Sequence, residues 1–182
     1  MVDEPTQRLW ASGDGTYLAA QFRPVPPDLP SLDVRDLEPW FGTRRLDVDS
    51  RPLVIELAVD PGASLPLVRF VSRRHIPERD RYLFTAALIA PLATCSWVVE
   101  VGRGEGDTTG TRETLALGAY AREHPDRISA GGYFEGFDPY VREWDDAVPD
   151  ELDPLTPVRR RIDEIEAALT FGPEVAAEPP FS

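Results

Sequence analysis

Three charged residues in the middle of the chain have the type and spacing for acid–base chemistry. Glu56, Arg69 and Glu100 each interrupt a run of aliphatic, β-branched or aromatic residues. If four-residue loops join the strands, Glu56 lies opposite Arg69 and Glu100 lies opposite Thr85, and all four line one sheet face. Two carboxylates on an apolar face can divide the acid and base roles, because burial favours the neutral form of one while arginine favours the charged form of the other. The alternative is a structural Glu56–Arg69 ion pair beside a hydrated Glu100.

An aromatic segment further along the chain is a second candidate for ligand binding. Five aromatic residues fall between positions 133 and 144, and the neighbouring glycines and Pro139 disfavour a regular helix. The segment either packs over the sheet edge as a satellite core or lines a small-molecule pocket against the sheet. The predicted ligand-binding set therefore consists of the three charged residues above and four aromatic residues, Tyr133, Phe137, Tyr140 and Trp144.

Arginines at a predicted hairpin tip form a local basic island. Arg73, Arg74 and Arg79 lie in a segment that also contains Glu78 and Asp80. Arginine binds carboxylates and phosphates through paired hydrogen bonds, so this island can grip an anion. A solvated hairpin tip without a binding role is the alternative.

A glycine-rich stretch over residues 102–110 joins a predicted strand to a predicted helix, where a phosphate loop would lie. Its glycines do not follow the G-x-G-x-x-G spacing, and Glu105 and Asp107 would repel a phosphate. Thr109 and Arg112, together with backbone amides at the helix start, can still hold a small anion. A flexible connection with threonine caps is the alternative.

Composition excludes several kinds of catalyst. All 19 basic residues are arginine, and the absence of lysine excludes Schiff-base chemistry and the lysine of a P-loop. Cys95 is the single cysteine, which excludes an intramolecular disulfide and a multi-cysteine metal site. The two histidines lack the spacing of a metal-ligand pair or a triad. The sequence therefore predicts no metal site and no cofactor, and we assign a catalytic role to no residue.

The net charge of −13 indicates which partners to expect. Binding to nucleic acid or to an anionic membrane requires a basic surface, so neither is expected. The acidic residues are scattered, which is typical of a solvated surface, although an acidic face for a basic partner is an alternative. The N-terminus resembles no secretory signal and no apolar run reaches the length of a membrane span, so we expect a cytoplasmic protein.

The elements that position these residues follow from periodicity. Strand-length runs at residues 53–60, 66–72, 82–90 and 94–102, with an earlier one near 17–22, predict an antiparallel meander of about four to six strands. Prolines make residues 23–52 mostly irregular, with room for a short helix from Ser31.

Two helices are expected after the strands. One covers residues 111–123, and the other begins at Thr156 as N-cap and ends at Gly172. The second has an apolar stripe of Val158, Ile162, Ile165 and Leu169. Strands followed by helices indicate an α+β fold with both helices packed on the sheet. We expect a single domain over residues 9–172, with flexible termini at 1–8 and 173–182.

Three pieces of the C-terminal half carry a resemblance: WVVEVGRGEGDTTGTRETLALGAY from Trp97, VREWDD from Val141 and DPLTPVRRRIDEIEAAL from Asp153. On these pieces the chain resembles a family of uncharacterised actinobacterial proteins from high-GC genomes. In the last piece, Asp-Pro-Leu-Thr-Pro stands where the family has a His-Pro-Leu-Ser-Arg-like entry to the helix. The resemblance implies a soluble α+β protein and assigns a role to no residue.

Three functions fit the sequence. The leading hypothesis is a non-enzymatic accessory or protein-interaction domain that forms a homodimer through one sheet face, because two helices leave part of an apolar meander to cover. The first alternative is a small-molecule-binding protein or enzyme with its pocket between the sheet and residues 133–144. The second is an acidic mimic or immunity-type inhibitor that binds a basic partner.

Overall fold

The computed structural model describes residues 7–43, 53–61, 65–106, 111–127, 153–179 and 181. Six strands lie within these ranges: β1 (Gln7–Ala11), β2 (Thr16–Arg23), β3 (Leu53–Asp60), β4 (Leu67–Ile76), β5 (Arg81–Pro91) and β6 (Ser96–Gly104). All neighbours are antiparallel, and the spatial order is β1-β2-β6-β5-β4-β3. The predicted α+β class is therefore confirmed, with β3 to β6 forming the meander. The β1–β2 hairpin continues the sheet beyond β6.

The hairpin between β4 and β5 is longer than the sequence predicts. Its pairing continues to Ile76 opposite Arg81, so only residues 77–80 connect the two strands. These residues form a 3-10 turn that ends at Asp80, which has a positive φ of 50°. The placement of Arg73 and Arg74 in a loop is therefore wrong, because both belong to β4.

Four helices occur in the described part of the chain: α1 (Val34–Thr43), α2 (Thr111–Glu123), α3 (Leu155–Ala168) and the short α4 (Pro173–Ala176). The first lies in the proline-rich stretch and tolerates Pro39 inside it. Asp33 begins this helix, because its carboxylate accepts the Arg35 N–H at 2.9 Å as an N-cap. None of these helices is both long and apolar enough to cross a bilayer.

The main core lies between α3 and one face of the sheet. Val71, Ala86 and Val101 are paired side by side on β4, β5 and β6, and all three are fully buried. Val158 and Ile162 of α3 pack against them, also fully buried. The predicted apolar stripe of this helix therefore faces the sheet. We call this sheet surface the helix face and the opposite surface the second face.

The described residues divide into two compact units, and the single domain over residues 9–172 stays a prediction. The first unit runs up to Gly104 and resumes at Leu155, and the second spans Glu105 to Pro154. Within the second unit, α2 buries Ala116, Ala119 and Tyr120.

Regular secondary structure reaches beyond both ends of the predicted domain. Residues 7 and 8, placed in a flexible terminus by the sequence, belong to β1. At the other end, residues 173–176 form α4, and the Ala93 N–H donates to the Pro179 carbonyl at 3.0 Å. The first unit therefore extends past residue 172.

Candidate functional site

Glu56 and Arg69 lie together on the helix face, as the sequence predicts. Their register differs by two residues, since Glu56 is opposite Val71 and Arg69 is opposite Ala58. A shift of two residues keeps both side chains on the same face. The Arg69 guanidinium lies 3.8 Å from the Glu56 carboxylate.

Two further carboxylates complete a charge network around Arg69. Its Nη1 lies 2.5 Å from Asp163 and 3.2 Å from Glu166, both on α3. Glu56 also accepts Arg159 of the same helix at 2.5 Å. Because three carboxylates surround one guanidinium, Arg69 is already neutralised and does not present itself to an anionic ligand. The network joins β3, β4 and α3.

Arg69→Met is expected to lower the free energy of unfolding by about 1 kcal/mol, because three carboxylates lose their shared cation while the aliphatic packing remains. Urea unfolding followed by circular dichroism measures the loss. Arg161→Met is the matched control, since this exposed guanidinium pairs with Glu164 at 2.7 Å within α3 and such a pair contributes only a few tenths of a kcal/mol. Equal losses in the two variants would contradict a bridging role for Arg69.

Glu100 lies on the second face, so the prediction that Glu56, Arg69 and Glu100 line one face is wrong. The cause is the register of the β4–β5 hairpin. Its four-residue connection places Arg69 opposite Leu88, and because Leu88 and Thr85 are three residues apart on β5 they point to opposite faces of the sheet. Glu100 is opposite Ala87 and shares the second face with Thr85. The predicted pair of cooperating carboxylates is therefore separated by the sheet.

Glu100 has a partner that the sequence does not reveal. The Tyr17 hydroxyl of β2 donates a hydrogen bond to its carboxylate. The Tyr17 ring lies across Gly102, where a Cβ atom would come within 2.2 Å of the ring. Burial of the phenol and its hydrogen bond to the Glu100 carboxylate raise the pKa of Tyr17 above its usual range. This hydrogen bond holds β2 against β6.

The predicted anion-binding residues do not form a single cluster in the described structure. Arg73 lies on β4 with its guanidinium 4.8 Å from the centroid of the Tyr82 ring. Arg74, the next residue, points to the opposite sheet face. Arg79 lies in the connecting 3-10 turn. Arg112 belongs to α2, but its side chain and all of Thr109 fall outside the described residues, as does the aromatic set Tyr133, Phe137, Tyr140 and Trp144.

The outermost strand, β1, is the feature that sequence reasoning missed. All five of its residues are exposed, including Leu9 at 65% and Trp10 at 48%. A sequence signal exists, because a Gly-Asp-Gly turn separates this run from β2. Asp14 in that turn accepts the Thr16 N–H at 3.0 Å, and Gly15 takes a positive φ of 82°.

The hydrogen-bond pattern of the hairpin shows which backbone groups of β1 point outward. The Ser12 N–H donates to the Thr16 carbonyl at 2.8 Å, so this pair is hydrogen-bonded. Hydrogen-bonded and non-hydrogen-bonded pairs alternate along an antiparallel ladder. Trp10 and Arg8 therefore bond to β2, while Leu9 presents its N–H and C=O to the outside of the sheet.

Comparisons with known proteins add no assignment to this geometry. Among the described residues, no group of histidine, cysteine, aspartate and glutamate side chains could hold a metal ion.

The resemblance to an actinobacterial family stays a prediction. Comparison with models of protein families gave no match for this chain, and comparison with curated proteins gave none either.

Proposed function

We propose that this protein is a non-enzymatic interaction domain that acts in the cytoplasm and self-associates through the outer edge of β1. The observation that carries the proposal is the exposure of the whole strand. An outer strand offers unpaired N–H and C=O groups to another strand. Proteins usually protect such edges with proline, a bulge or charges, but β1 pairs with β2 in an unbroken register and contains one charge, Arg8.

The edge replaces the sheet face as the proposed contact. On the helix face, α3 already packs over Val71, Ala86 and Val101. At β1, by contrast, the apolar side chains of Leu9 and Trp10 lie beside the outward backbone groups. Main-chain hydrogen bonds and adjacent side-chain contacts are the two components of strand addition.

Of the antiparallel registers open to a second copy of this chain, the one centred on Leu9 pairs all five residues of β1. A two-fold axis at Leu9 places Leu9 opposite the partner's Leu9, with main-chain hydrogen bonds between them. Arg8 then lies opposite the partner's Trp10 in a non-hydrogen-bonded pair, where side chains approach most closely. Each of the two Arg–Trp contacts is a cation–π pair worth about 0.5–1 kcal/mol. A two-fold axis at Arg8 would instead place Arg8 opposite the partner's Arg8, and two like charges directly opposite each other are unfavourable.

The size of the contact sets the expected affinity. Five residues on each side bury less than the roughly 1,600 Å² of a standard interface. We therefore expect a dissociation constant on the order of micromolar, with the dimer population rising over that concentration range.

The test combines light scattering after gel filtration with two variants at Leu9. The wild-type chain is expected to change from monomer to dimer mass as its concentration rises. Leu9→Pro removes the outward N–H without removing a β1–β2 hydrogen bond, so it should remain monomeric. Leu9→Val keeps the N–H and a branched apolar side chain, and it should dimerise like the wild type.

A cross-linking variant tests the register. Leu9→Cys combined with Cys95→Ser should form an intermolecular disulfide on mild oxidation, since directly opposed residues have Cα atoms about 5.5 Å apart. The proposal fails if the wild type is monomeric throughout, or if Leu9→Pro dimerises as strongly as the wild type.

A further inference from the structure

A cleft of about 430 Å³ lies between the β1–β2 hairpin and α3, on the helix face. We call it the hairpin cleft. Its apolar wall is formed by Trp10, Leu18, Pro157 and Ile165. Ile165 also packs against the main core, which fixes that wall to a rigid element. The volume falls within the range of small-molecule sites, about 300–1,000 Å³.

Two consecutive arginines of α3, Arg160 and Arg161, line the same cleft. Both are exposed, so their guanidinium groups lie in contact with solvent at its rim. Glu164 pairs with Arg161 through one nitrogen at 2.7 Å. A guanidinium carries five N–H donors in a planar fork, so one such contact leaves donors for a second anion.

The single carboxylate of the lining, Asp14, already has several donors of its own. It accepts hydrogen bonds from the Ser12 hydroxyl and from the Thr16 N–H and hydroxyl. These bonds, with a smaller contribution from the Arg103 charge, lower the pKa of Asp14 to about 2. Its carboxylate oxygens therefore stabilise the turn of the hairpin.

From this arrangement we propose that the hairpin cleft binds a planar aromatic carboxylate. The ring lies on the Trp10 indole against Leu18 and Ile165, and the carboxylate accepts hydrogen bonds from Arg160 or Arg161 at the rim. Two arginines and one carboxylate line the cleft, so its local charge is positive although the chain as a whole carries a net charge of −13. Because the register proposed for β1 also brings the partner's Arg8 to Trp10, binding is tested in a monomeric variant as well as in the wild-type chain.

A second cavity in the same unit provides an internal comparison. It measures about 210 Å³ and has no charged residue among those that line it. Leu88, Val99, Leu169 and Phe171 are among its walls. A purely hydrophobic preference would favour this cavity and an uncharged probe, whereas the hairpin cleft should favour the anion.

Titration calorimetry of the full chain at low ionic strength tests the inference with three probes of one shape. The probes are 2-naphthoate, its neutral analogue 2-naphthamide and the cationic 2-naphthylmethylamine. We expect naphthoate to bind about tenfold more tightly than the amide, the difference that one charge-assisted hydrogen bond supplies, and more tightly still than the amine. The measurement is repeated with Leu9→Pro, which is expected to be monomeric, so that the binding of the probes is measured independently of dimerisation.

Variants locate the site. Arg160→Gln combined with Arg161→Gln should remove the preference for naphthoate over naphthamide, and Trp10→Ala should weaken both probes. Arg35→Gln is the matched control, because Arg35 is an exposed arginine on α1 that pairs with Asp33. It should leave naphthoate binding unchanged. The inference is overturned by absence of naphthoate binding, by equal affinity for all three probes, or by a charge preference that survives the double arginine variant.

Discussion

Ile162→Ala is expected to lower the free energy of unfolding by about 3 kcal/mol, the largest effect of any single substitution proposed for this chain. Ile162 is fully buried and belongs to the cluster that joins α3 to the sheet. Truncation removes three carbon atoms from a site enclosed by β-strand side chains, which cannot move inward to fill the space. The cost therefore contains both the lost burial and the remaining cavity.

The cavity should stay open because the sheet beneath α3 is already packed with small and branched residues. Ala86 lies between Val71 and Val101 in one row across three strands, and all three are fully buried. A small residue between two β-branched ones allows the helix to approach closely, and the longer side chains of the same cluster, Phe84 and Leu88, are already buried in contacts of their own.

Urea unfolding measures this prediction, with the m-value compared between variants so that a change in stability is separated from a change in exposed surface. Glu164→Ala is the matched control on the exposed side of the same helix, and it should change the free energy by less than about 0.5 kcal/mol. A loss below about 1 kcal/mol for Ile162→Ala would show that α3 contributes little to the core.

The hydrophobic periodicity of a single helix or strand was enough to predict the buried stripe of α3 and the bounds of β3. The stripe of Val158, Ile162, Ile165 and Leu169 depends only on the helical repeat, and all four residues belong to the core or pack against it. The strand at Leu53–Asp60 was likewise predicted with its observed bounds. Such patterns are local, so the residues that define them lie close together in the sequence.

Relations between elements were predicted less well, because they depend on the registers of several hairpins together. A one-residue change in the register of β4 and β5 moves Arg69 to the face opposite Glu100. The carboxylate partner of Arg69 at Glu166 is 97 residues away in the sequence, and no local pattern connects them. The same holds for the pairing of β2 with β6, which places Tyr17 beside Glu100.

Gly102 shows how a motif is misread when the predicted strand ends too early. The prediction ends the strand at residue 102, whereas β6 continues to Gly104. In the sequence Gly102 begins a glycine-rich stretch that could be taken for a phosphate loop. In the structure it lies inside β6, opposite Tyr17 of β2. Its lack of a side chain allows the Tyr17 ring to cross the strand and reach Glu100. The glycine is therefore needed for a close approach between a side chain and the backbone.

Gly102→Ala is consequently expected to lower the free energy of unfolding by about 2 kcal/mol, although alanine has the smallest side chain that can be added. The new Cβ would lie 2.2 Å from the Tyr17 ring, so the ring must swing away and lose both its packing and its hydrogen bond to Glu100. Gly104→Ala is the matched control, since it lies in the same strand and a Cβ there meets nothing within 4 Å. That variant should be neutral or slightly stabilising.

Two measurements separate the loss of the Tyr17–Glu100 contact from a general weakening of β6. In a double-mutant cycle, Gly102→Ala should lower the free energy of unfolding much less in a Tyr17→Ala background, because the clashing ring is already gone.

The second measurement is the titration of the Tyr17 phenol. The pKa of Tyr17 is raised in the folded chain, so the stability it contributes is present below the unfolded pKa near 10 and is lost as the pH rises through the folded value. Gly102→Ala should return the pKa of Tyr17 toward its ordinary value, and therefore reduce the fall in stability at alkaline pH. If Gly102→Ala and Gly104→Ala are equally stable and titrate alike, the ring does not depend on the glycine beneath it.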